Sequence, residues 1–391
     1  MDISLKMKTT AQTAITEAGI HKTAVALVYW GRLGAGAALM RQIAEAMESD
    51  KRFLLYLSPS LQSELPPAST TSRTMPIDTF SGPLSFIWRS LVLPFTVRRL
   101  VRRMAAAEIQ ATVTIMPHIW GLALQRAARR AGIRTVLIVH DAEPHPGEVR
   151  PLFDWLVRRE IKGSDRIVTF SEHVADRLIA IGDVSEGRLE RLFHPIFRFG
   201  GAGDMRQHPA SPFRLLFFGR ILPYKGVPML LEAFARLRAA GDDIKLSVIG
   251  RGEIVAPAEL KSQPGLSIKT GWVAPDAIGE ILADADAIAL PYLEASQSGV
   301  IAAAYGAGIP VVATPVGGLV EQVTDGETGL LARTATAGDF AAAVERLIRT
   351  PGLYETCRTG AVRYAEIRSP EHFAHALGDA VMTTIAADRR Y

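Results

Sequence analysis

Two cations that stand five residues apart give the strongest chemical signal in the sequence. Arg220 and Lys225 follow an apolar run, RLLFFG, and precede a helical pattern that begins after Gly226. An arginine offers a planar fork of donors, a lysine offers a compact charge, and a helix start adds unpaired N–H groups. This combination favours binding of a diphosphate. Solvated loop charges are the alternative, and the glycines beside the two cations favour the functional interpretation.

The segment between an apolar run and the helical pattern that follows it is called a corner here, and Arg220 and Lys225 lie in one. A second corner lies in residues 290–321, where small residues follow an apolar run. Ser298, Gly299 and Val300 open a helical pattern rich in alanine and glycine, so their N–H groups are expected to face an anion or sugar hydroxyls. Two further glycines at 317 and 318 precede Glu321. A tightly packed core helix explains the small residues equally well, and the pattern alone leaves both interpretations open.

The first half has its own glycine-rich corner, YWGRLGAGAALM. It does not fit a dinucleotide fingerprint, because Leu39 stands where the third glycine would be and no acidic residue closes the next apolar run. The glycines are predicted instead to let an acceptor phosphate or sugar approach Gly34, Ala35 and Gly36.

Histidines stand at the ends of several apolar runs. His140 and Asp141 end the run RTVLIVH, and His118 follows the run ATVTIM. His118 and Asp141 are candidate acceptor-binding residues, and His145 is a weaker one. A lone histidine at a strand end is more often structural, so the residues alone do not assign His140 a role. His194, in LFHPIF, is interpreted as structural.

Residues 83–104 combine large apolar side chains with a cluster of arginines at 98, 99, 102 and 103. An aromatic, leucine-rich face beside cations is typical of a helix on an anionic membrane. A domain helix with solvated arginines fits the same composition. Pro94 interrupts the pattern and predicts that the helix is not continuous.

Composition bounds the class of protein. The chain has 391 residues, 48% of them hydrophobic and 21% charged, which predicts a globular protein of two domains. A net charge of +4 is too small to argue for nucleic acid. The longest apolar runs are about ten residues, short of the roughly 20 that cross a bilayer. No signal peptide is recognised, and a single cysteine excludes an internal disulfide and a cysteine-rich zinc site, so a cytoplasmic protein is predicted.

Short apolar runs alternate with helical patterns in both halves, which predicts an α/β fold with parallel sheets. The polar stretch 199–212 has the composition of a linker. The predicted domains are therefore residues 1–198 and residues 213–365, followed by a helical chain end, residues 366–391. The predicted strands lie in 23–30, 52–57, 111–116, 134–140, 166–170, 214–219, 244–250, 266–270, 287–291 and 310–314.

The second half resembles the nucleotide-sugar half of retaining GT-B glycosyltransferases of family four, of the bacterial polysaccharide-biosynthesis kind. The resemblance lies in FFGRILPYKGVPMLLEAF, VIGRGE, TGWV, LPYLEASQSG, AYGAGIPVVATPVGGLVE and DGETGLL, in the family's order across residues 215–333. The first half is similar more weakly. The resemblance implies two Rossmann-like domains that face each other across a cleft, with residues 366–391 packing back on the first domain.

By this resemblance, Arg220 and Lys225 hold the donor diphosphate and stabilise the leaving charge, and His140 lies near the reacting sugar. The implied catalytic residues are these three. The family uses no metal, and no cofactor is expected beside a UDP- or GDP-linked sugar. The implied donor-binding residues are Gly219, Gly250, Gly252, Trp272, Val273, Glu294, Ser298, Gly299, Val300 and Glu321.

One departure concerns a pair of glutamates that the family has with seven residues between them, the second of which binds the ribose. Here the two positions hold Ala295 and Ala303. Glu294 stands one place early and is a candidate replacement for the first glutamate. The departure leaves the nucleotide unassigned.

The resemblance implies transfer of a hexose, with retention, to a lipid-linked glycan acceptor in surface or exopolysaccharide synthesis. The predicted enzyme is a metal-independent hexosyltransferase. It is expected in the cytoplasm or on the inner face of the cytoplasmic membrane, with an anionic membrane contact through residues 83–104 and no nucleic-acid partner. The alternatives are a non-catalytic sugar-nucleotide-binding protein and a GT-B-fold epimerase or phosphorylase.

Overall fold

The computed structural model describes residues 22–31, 35–58, 73–77, 79–144, 151–199, 209 and 211–387. Within these ranges the chain forms two sheets, and the strand pairs whose register is defined are parallel. Strand burial explains the apolar runs: residues Thr23–Val28 are buried along their whole length, as expected for a strand with helices on both faces. The predicted α/β class with two Rossmann-like sheets is therefore confirmed.

The elements of the first sheet alternate with helices along the chain. Its strands are β1 (Thr23–Val28), β2 (Phe53–Ser58), β3 (Arg73–Thr74), β4 (Ala111–Thr114), β5 (Arg134–Val139), β6 (Arg166–Thr169) and β7 (Leu189–Arg191). The helices are α1 (Ala35–Glu48), α2 (Pro83–Ala106), α3 (Gly121–Arg130), α4 (Pro151–Gly163) and α5 (Glu172–Ala180). The strand order is β3-β2-β1-β4-β5-β6-β7, so the chain reverses direction across the sheet between β1 and β4.

The second sheet repeats this plan. Its strands are β8 (Phe213–Phe218), β9 (Ile244–Gly250), β10 (Leu266–Thr270), β11 (Ala287–Leu290), β12 (Val311–Ala313) and β13 (Gly329–Leu331). The helices are α6 (Val227–Ala239), α7 (Ala258–Lys261), α8 (Ile278–Ala283), α9 (Gly299–Gly306) and α10 (Leu319–Gln322). The order β10-β9-β8-β11-β12-β13 places the reversal between β8 and β11.

The chain end is helical, as predicted. It forms α11 (Ala337–Arg349), α12 (Leu353–Ile367) and α13 (Pro370–Ala386). The start of α11 is capped, because the Thr336 hydroxyl accepts a hydrogen bond from the Asp339 N–H, and an acidic residue lies in the first turn.

The chain divides into two compact units. One comprises Met1–Leu137, Gly163–Asp165 and Gly378–Tyr391, and the other Ile138–Lys162 and Arg166–Leu377. Inside the first unit, Arg52 pairs with Asp379, and Arg134 donates to the carbonyl of Ala387. The predicted boundaries near residues 198, 212 and 365 stay a prediction, and most of the predicted linker lies outside the described residues.

The helix α2 corrects one prediction. It runs unbroken through Pro94, although the position of this proline in the sequence predicts an interruption. Proline removes one N–H and therefore one hydrogen bond, to the carbonyl of Ser90, and here the side chain lies at the exposed surface. The C-terminal half of the helix is fixed by burial of Val97, Leu100, Val101 and Met104, which outweighs this loss.

Three strands were not predicted: β3, β7 and β13. Each has only two or three residues, too few to give a recognisable apolar run. Among the residues that the structure describes, no helix combines the length and the apolar character needed to cross a bilayer.

Candidate functional site

The centre of the second sheet brings two predicted corners together. Because β8 and β11 are neighbours from which the chain departs in opposite directions, a crevice is expected outside their carboxyl ends, where ligands bind in open α/β sheets. Arg220 lies two residues after β8, and Tyr292 lies two residues after β11. The predicted cations therefore stand at the reversal point of this sheet.

The two corners are joined by their backbones. The Leu293 N–H donates to the Tyr224 carbonyl at 2.7 Å. Gly226 has a φ of +65°, and a Cβ at this position would lie 1.8 Å from the Pro291 carbonyl oxygen. Only glycine permits both the left-handed backbone and this close approach. The glycine that follows Lys225 is therefore required by the neighbouring strand end.

An aromatic ring holds Lys225 in place. The Lys225 Nζ lies 3.6 Å from the centroid of the Tyr292 ring and 5.1 Å from that of Tyr224. Burial raises the pKa of Tyr292 to about 12, so its phenol stays neutral and does not cancel the lysine charge. A cation–π contact thus orients the ammonium group and preserves its charge for a ligand.

Arg220 is exposed and lies beside the same tyrosines. One of its terminal nitrogens is 3.4 Å from the Tyr224 hydroxyl. The preceding Gly219 has a φ of +129°, and a Cβ there would meet the Val300 side chain at 3.7 Å, an ordinary van der Waals distance. An exposed guanidinium and a half-buried ammonium therefore belong to one short turn, as the sequence predicts.

The helix α9 begins beside this turn, and the N–H at its start is already engaged. The Ser298 N–H donates to the Gln322 side-chain oxygen at 2.7 Å, and the Gln322 amide donates to the Ser298 carbonyl at 3.2 Å. The expectation that the Ser298 N–H faces a ligand is therefore wrong. Gly299 and Val300 keep first-turn N–H groups, for which the helix itself offers no acceptor.

The ends of β9 and β10 form the predicted base-binding segment. A Cβ on Gly250 would lie 1.6 Å from the Gly219 carbonyl oxygen, and one on Gly252 would lie 2.1 Å from that of Ile221. These glycines let the neighbouring strand ends run side by side. Past β10, Val273 is half-buried and the Trp272 side chain is 53% exposed, enough to offer a ring face.

Glu321 has a structural partner. Its two carboxylate oxygens accept the N–H groups of Glu172 and His173, both at 2.7 Å. These are the first N–H groups of α5, where a negative charge is favoured by the helix dipole. The carboxylate thus caps α5, while its predicted contact with the donor stays a prediction.

The two positions at which the resembled family has glutamates are buried in this protein. Ala295 and Ala303 are both buried, and Glu294 beside them is exposed. The Ala295 carbonyl accepts the Gly318 N–H at 3.0 Å. This segment is therefore held by backbone contacts, and Glu294 is the carboxylate at its surface.

His140 belongs to a chain of buried rings that leads to α9. Its ring meets Phe170 edge-on at 4.8 Å, and Phe170 meets His194 at 5.1 Å. His194 Nδ1 lies 2.8 Å from the Pro195 carbonyl, so it carries the proton, and burial lowers the pKa of His194 to about 3. The unprotonated Nε2 faces Gly299, while Asp141, next to His140, is exposed.

The corresponding corner of the first sheet, after β1, is filled by a side chain. A Cβ on Gly36 would lie 2.6 Å from the Tyr29 ring and 2.7 Å from the Met116 sulfur. The space that glycine leaves is therefore occupied by protein. Of the other predicted acceptor residues here, Ala35 begins α1 and Gly34 lies outside the described residues, as does His145.

His118 lies in an aromatic cluster after β4. Its ring stacks on Trp30 at 5.6 Å and meets Trp120 edge-on at 5.7 Å. Burial lowers the pKa of His118 to about 4, so the ring is neutral at pH 7. The cluster reaches α2, because Trp120 stacks on Phe86 and donates to the Ser90 hydroxyl at 3.1 Å.

Sequence reasoning missed Tyr292, Gln322 and Tyr29. Tyr292 had a usable signal, since it directly follows a strand end in LPYLEASQSG. Gln322 had no signal, because its partner Ser298 is 24 residues away in the sequence. Tyr29 had none either, because its place beside Gly36 depends on how its side chain packs.

Comparison with protein families identifies both halves. Residues 212–350 match the family described as Glycosyl transferases group 1, and residues 27–192 match the Glycosyl transferase 4-like domain. A D-inositol 3-phosphate glycosyltransferase of Rhodococcus jostii (strain RHA1) is 28% identical over 278 residues, which are 66% of this chain and 60% of that protein. The chain thus spans less than two thirds of the length of these curated relatives that it matches.

Solved structures share the fold across nearly the whole chain. Sucrose-phosphate synthase from Thermosynechococcus elongatus has a TM-score of 0.71 at 17% identity, covering 94% of this chain and 100% of that structure. The Anabaena protein Alr3699/HepE, in complex with UDP and glucose, has a TM-score of 0.66 at 17% identity, covering 93% and 100%. The two halves thus match glycosyltransferase families in the order of a 4-like domain followed by a group 1 domain, and the chain has the GT-B fold.

Proposed function

We propose that this protein is a retaining hexosyltransferase that takes its sugar from a UDP- or GDP-linked donor. The acceptor is a lipid-linked glycan of a bacterial surface or secreted polysaccharide. The single observation that carries the donor assignment is the turn that holds Arg220 and Lys225 at the reversal point of the second sheet. The Anabaena neighbour in complex with UDP and glucose supports a nucleotide-sugar donor.

The two cations supply the electrostatic part of the reaction. As the bond between sugar and diphosphate breaks, negative charge grows on the leaving oxygens, and a preorganised ammonium and guanidinium stabilise it. The arginine contributes a planar fork and the lysine a point charge. The first-turn N–H groups of Gly299 and Val300 add positive partial charge for the phosphate or the sugar.

Retention follows from attack on the face that the leaving group vacates. The leaving diphosphate oxygen accepts the proton of the incoming hydroxyl, so the protein needs no nucleophile of its own. His140, through its position at the strand end, hydrogen-bonds the reacting sugar. Metal independence is part of the proposal, because the two side-chain cations do the work of a metal ion.

The test compares two lysines of the same sheet. Lys225→Ala is expected to lower the release of UDP or GDP from a panel of donor sugars, with membrane lipid extract as acceptor, by about 10²–10³-fold. Lys245→Ala, which removes an exposed lysine near the start of β9, is the matched control and is expected to keep full release. Equal release by both variants would refute the role of the turn.

A second candidate function has one observation in its favour. The positions of the family's glutamate pair hold the buried alanines Ala295 and Ala303. A protein that binds sugar nucleotides without transferring the sugar would tolerate this change. Calorimetric binding of UDP or GDP, together with no release from any donor, would support this candidate over the transferase.

A further inference from the structure

The helix α2 has two opposite faces of different kind. At 100° per residue, one face carries Phe86, Leu93 and the four buried residues of the C-terminal half, which pack on the core of the first unit. The opposite face is exposed. It carries Leu84, Ile87, Trp88, Leu91 and Phe95, whose side chains are 58–84% exposed, and then the arginines Arg98, Arg99, Arg102 and Arg103.

The exposed face is divided along the helix axis. Its apolar residues lie in the N-terminal half, over about 16 Å, and its arginines lie in the C-terminal half. None of the four arginines forms an ion pair with another residue in the described ranges, so their charges are available to an external anion. The N-terminal half is the less buried one: before Val97 its packed face holds only partly buried residues, such as Phe86 and Leu93.

We infer that the N-terminal half of α2 inserts obliquely into an anionic membrane, while the arginines of its C-terminal half bind lipid phosphates at the surface. A helix lying flat would hold Leu84 and Arg102 at one depth, which suits only one of them. A tilt of about 30° places Leu84 about 8 Å deeper than Phe95, within the 5–10 Å reached by interfacial helices.

The anionic bilayer is favoured over a protein partner by charge complementarity. Five large apolar side chains next to a block of four cations match a hydrocarbon layer next to a layer of phosphates. The inference rests on the proposed function in one respect, the lipid-linked acceptor that makes a membrane contact useful. The aromatic cluster around Trp120 packs on the buried side of α2 and connects the helix with the His118 corner.

Depth along the helix is the first measurement. The single cysteine of the chain, Cys357, is buried, so a cysteine placed at position 84, 91, 95 or 102 can be labelled selectively with an NBD fluorophore. With vesicles of phosphatidylcholine and phosphatidylglycerol, the blue shift and the quenching by brominated lipid are expected to fall in the order 84, 91, 95, 102. Equal values at all four positions, or none, would overturn the inclined geometry.

Binding strength is the second measurement. The triple variant Ile87→Gln, Leu91→Gln, Phe95→Gln is expected to lower vesicle binding at least tenfold. Replacing the four arginines by glutamine is expected to lower it by about fivefold per arginine on anionic vesicles only. The matched control is Val255→Gln, which removes an equally exposed apolar residue of the other unit and is expected to bind as the unmodified protein does.

The readouts separate this inference from the proposed function. UDP and GDP binding, measured by calorimetry without vesicles, is expected to be unchanged in all α2 variants. Intact vesicle binding after loss of the apolar residues, or a change only in oligomeric state, would refute the membrane inference and leave the donor site standing. Loss of nucleotide release in Lys225→Ala concerns the donor site alone.

Discussion

The glycine-rich corners of the two sheets both connect a strand with the helix after it, but different groups fill the space beside their glycines. In the second sheet, the space beside Gly226 and Gly250 is taken by carbonyl oxygens of neighbouring strand ends. In the first sheet, the space beside Gly36 is taken by the Tyr29 ring and the Met116 sulfur. Backbone cannot move aside without breaking the sheet, whereas a side chain can turn. The corner of the second sheet is therefore the more rigid one.

The largest effect on stability is expected when a glycine is replaced by alanine in the corner of the second sheet, compared with the same replacement in the first. Gly226→Ala forces a left-handed backbone, at about 1–2 kcal/mol, and overpacks a carbonyl, at about 1–3 kcal/mol. Gly36→Ala displaces the buried Tyr29 ring and the Met116 sulfur, at about 1–3 kcal/mol, but needs no left-handed backbone, so its loss is expected to be the smaller one. Urea unfolding of both variants measures the difference. Similar losses in the two would contradict the contrast between backbone and side-chain contacts.

A smaller effect is expected from the two buried tyrosines of these corners. Tyr292→Leu removes the ring under Lys225 and is expected to lower nucleotide release about thirtyfold, since a desolvated cation–π contact contributes about 2 kcal/mol. Tyr292→Phe keeps the ring and is expected to restore most of the activity. Tyr29→Leu serves as the control for a buried tyrosine of the other corner, and calorimetric UDP or GDP binding is expected to be unchanged in it. An equal loss in Tyr292→Phe would show that the hydroxyl, and not the ring, holds the lysine.

The smallest effect concerns pH, because each unit contains a histidine kept neutral by burial. The pKa values of His118 and His194 are lowered to about 4 and about 3, against about 6.5 in an unfolded chain. Below pH 6.5 the unfolded chain binds protons that the folded chain does not, so stability is complete above this pH and falls on acidification. Each histidine contributes a slope of about 1 kcal/mol per pH unit near pH 5.

The corresponding measurement is urea unfolding at pH 7 and pH 5. His118→Asn and His194→Asn are each expected to reduce the loss of stability between the two pH values. If both variants lose as much stability between pH 7 and pH 5 as the unmodified protein does, the two imidazoles have a pKa near 6.5 in the folded state as well.

The contrast between the corners also explains what the sequence could reveal. At Gly226 a neighbouring backbone leaves no room for a side chain, so glycine is required there and stands next to Lys225 in the sequence. The motif around Arg220 and Lys225 could therefore be interpreted from its residues alone. The strands of that sheet were predicted for a similar reason, since burial on both faces leaves continuous apolar runs.

Contacts between distant side chains left no such trace. Gln322 holds Ser298 from 24 residues away, and Tyr29 fills a space that the sequence suggested was open. The continuity of α2 through Pro94 was also missed, because it depends on how firmly the following turns are buried. These features follow from packing, which local patterns do not encode.

The capping of α5 by Glu321 gives this glutamate a structural role in addition to its place in the sequence motif. Its carboxylate joins segments about 150 residues apart, so a substitution there would first fray the opening turn of a helix in a different part of the sequence. Amide exchange at Glu172 and His173 would register such a change even with nucleotide affinity intact. A residue that accompanies a ligand-binding signature can thus be kept for the sake of architecture, and its mutants should be judged by helix protection before they are judged by turnover.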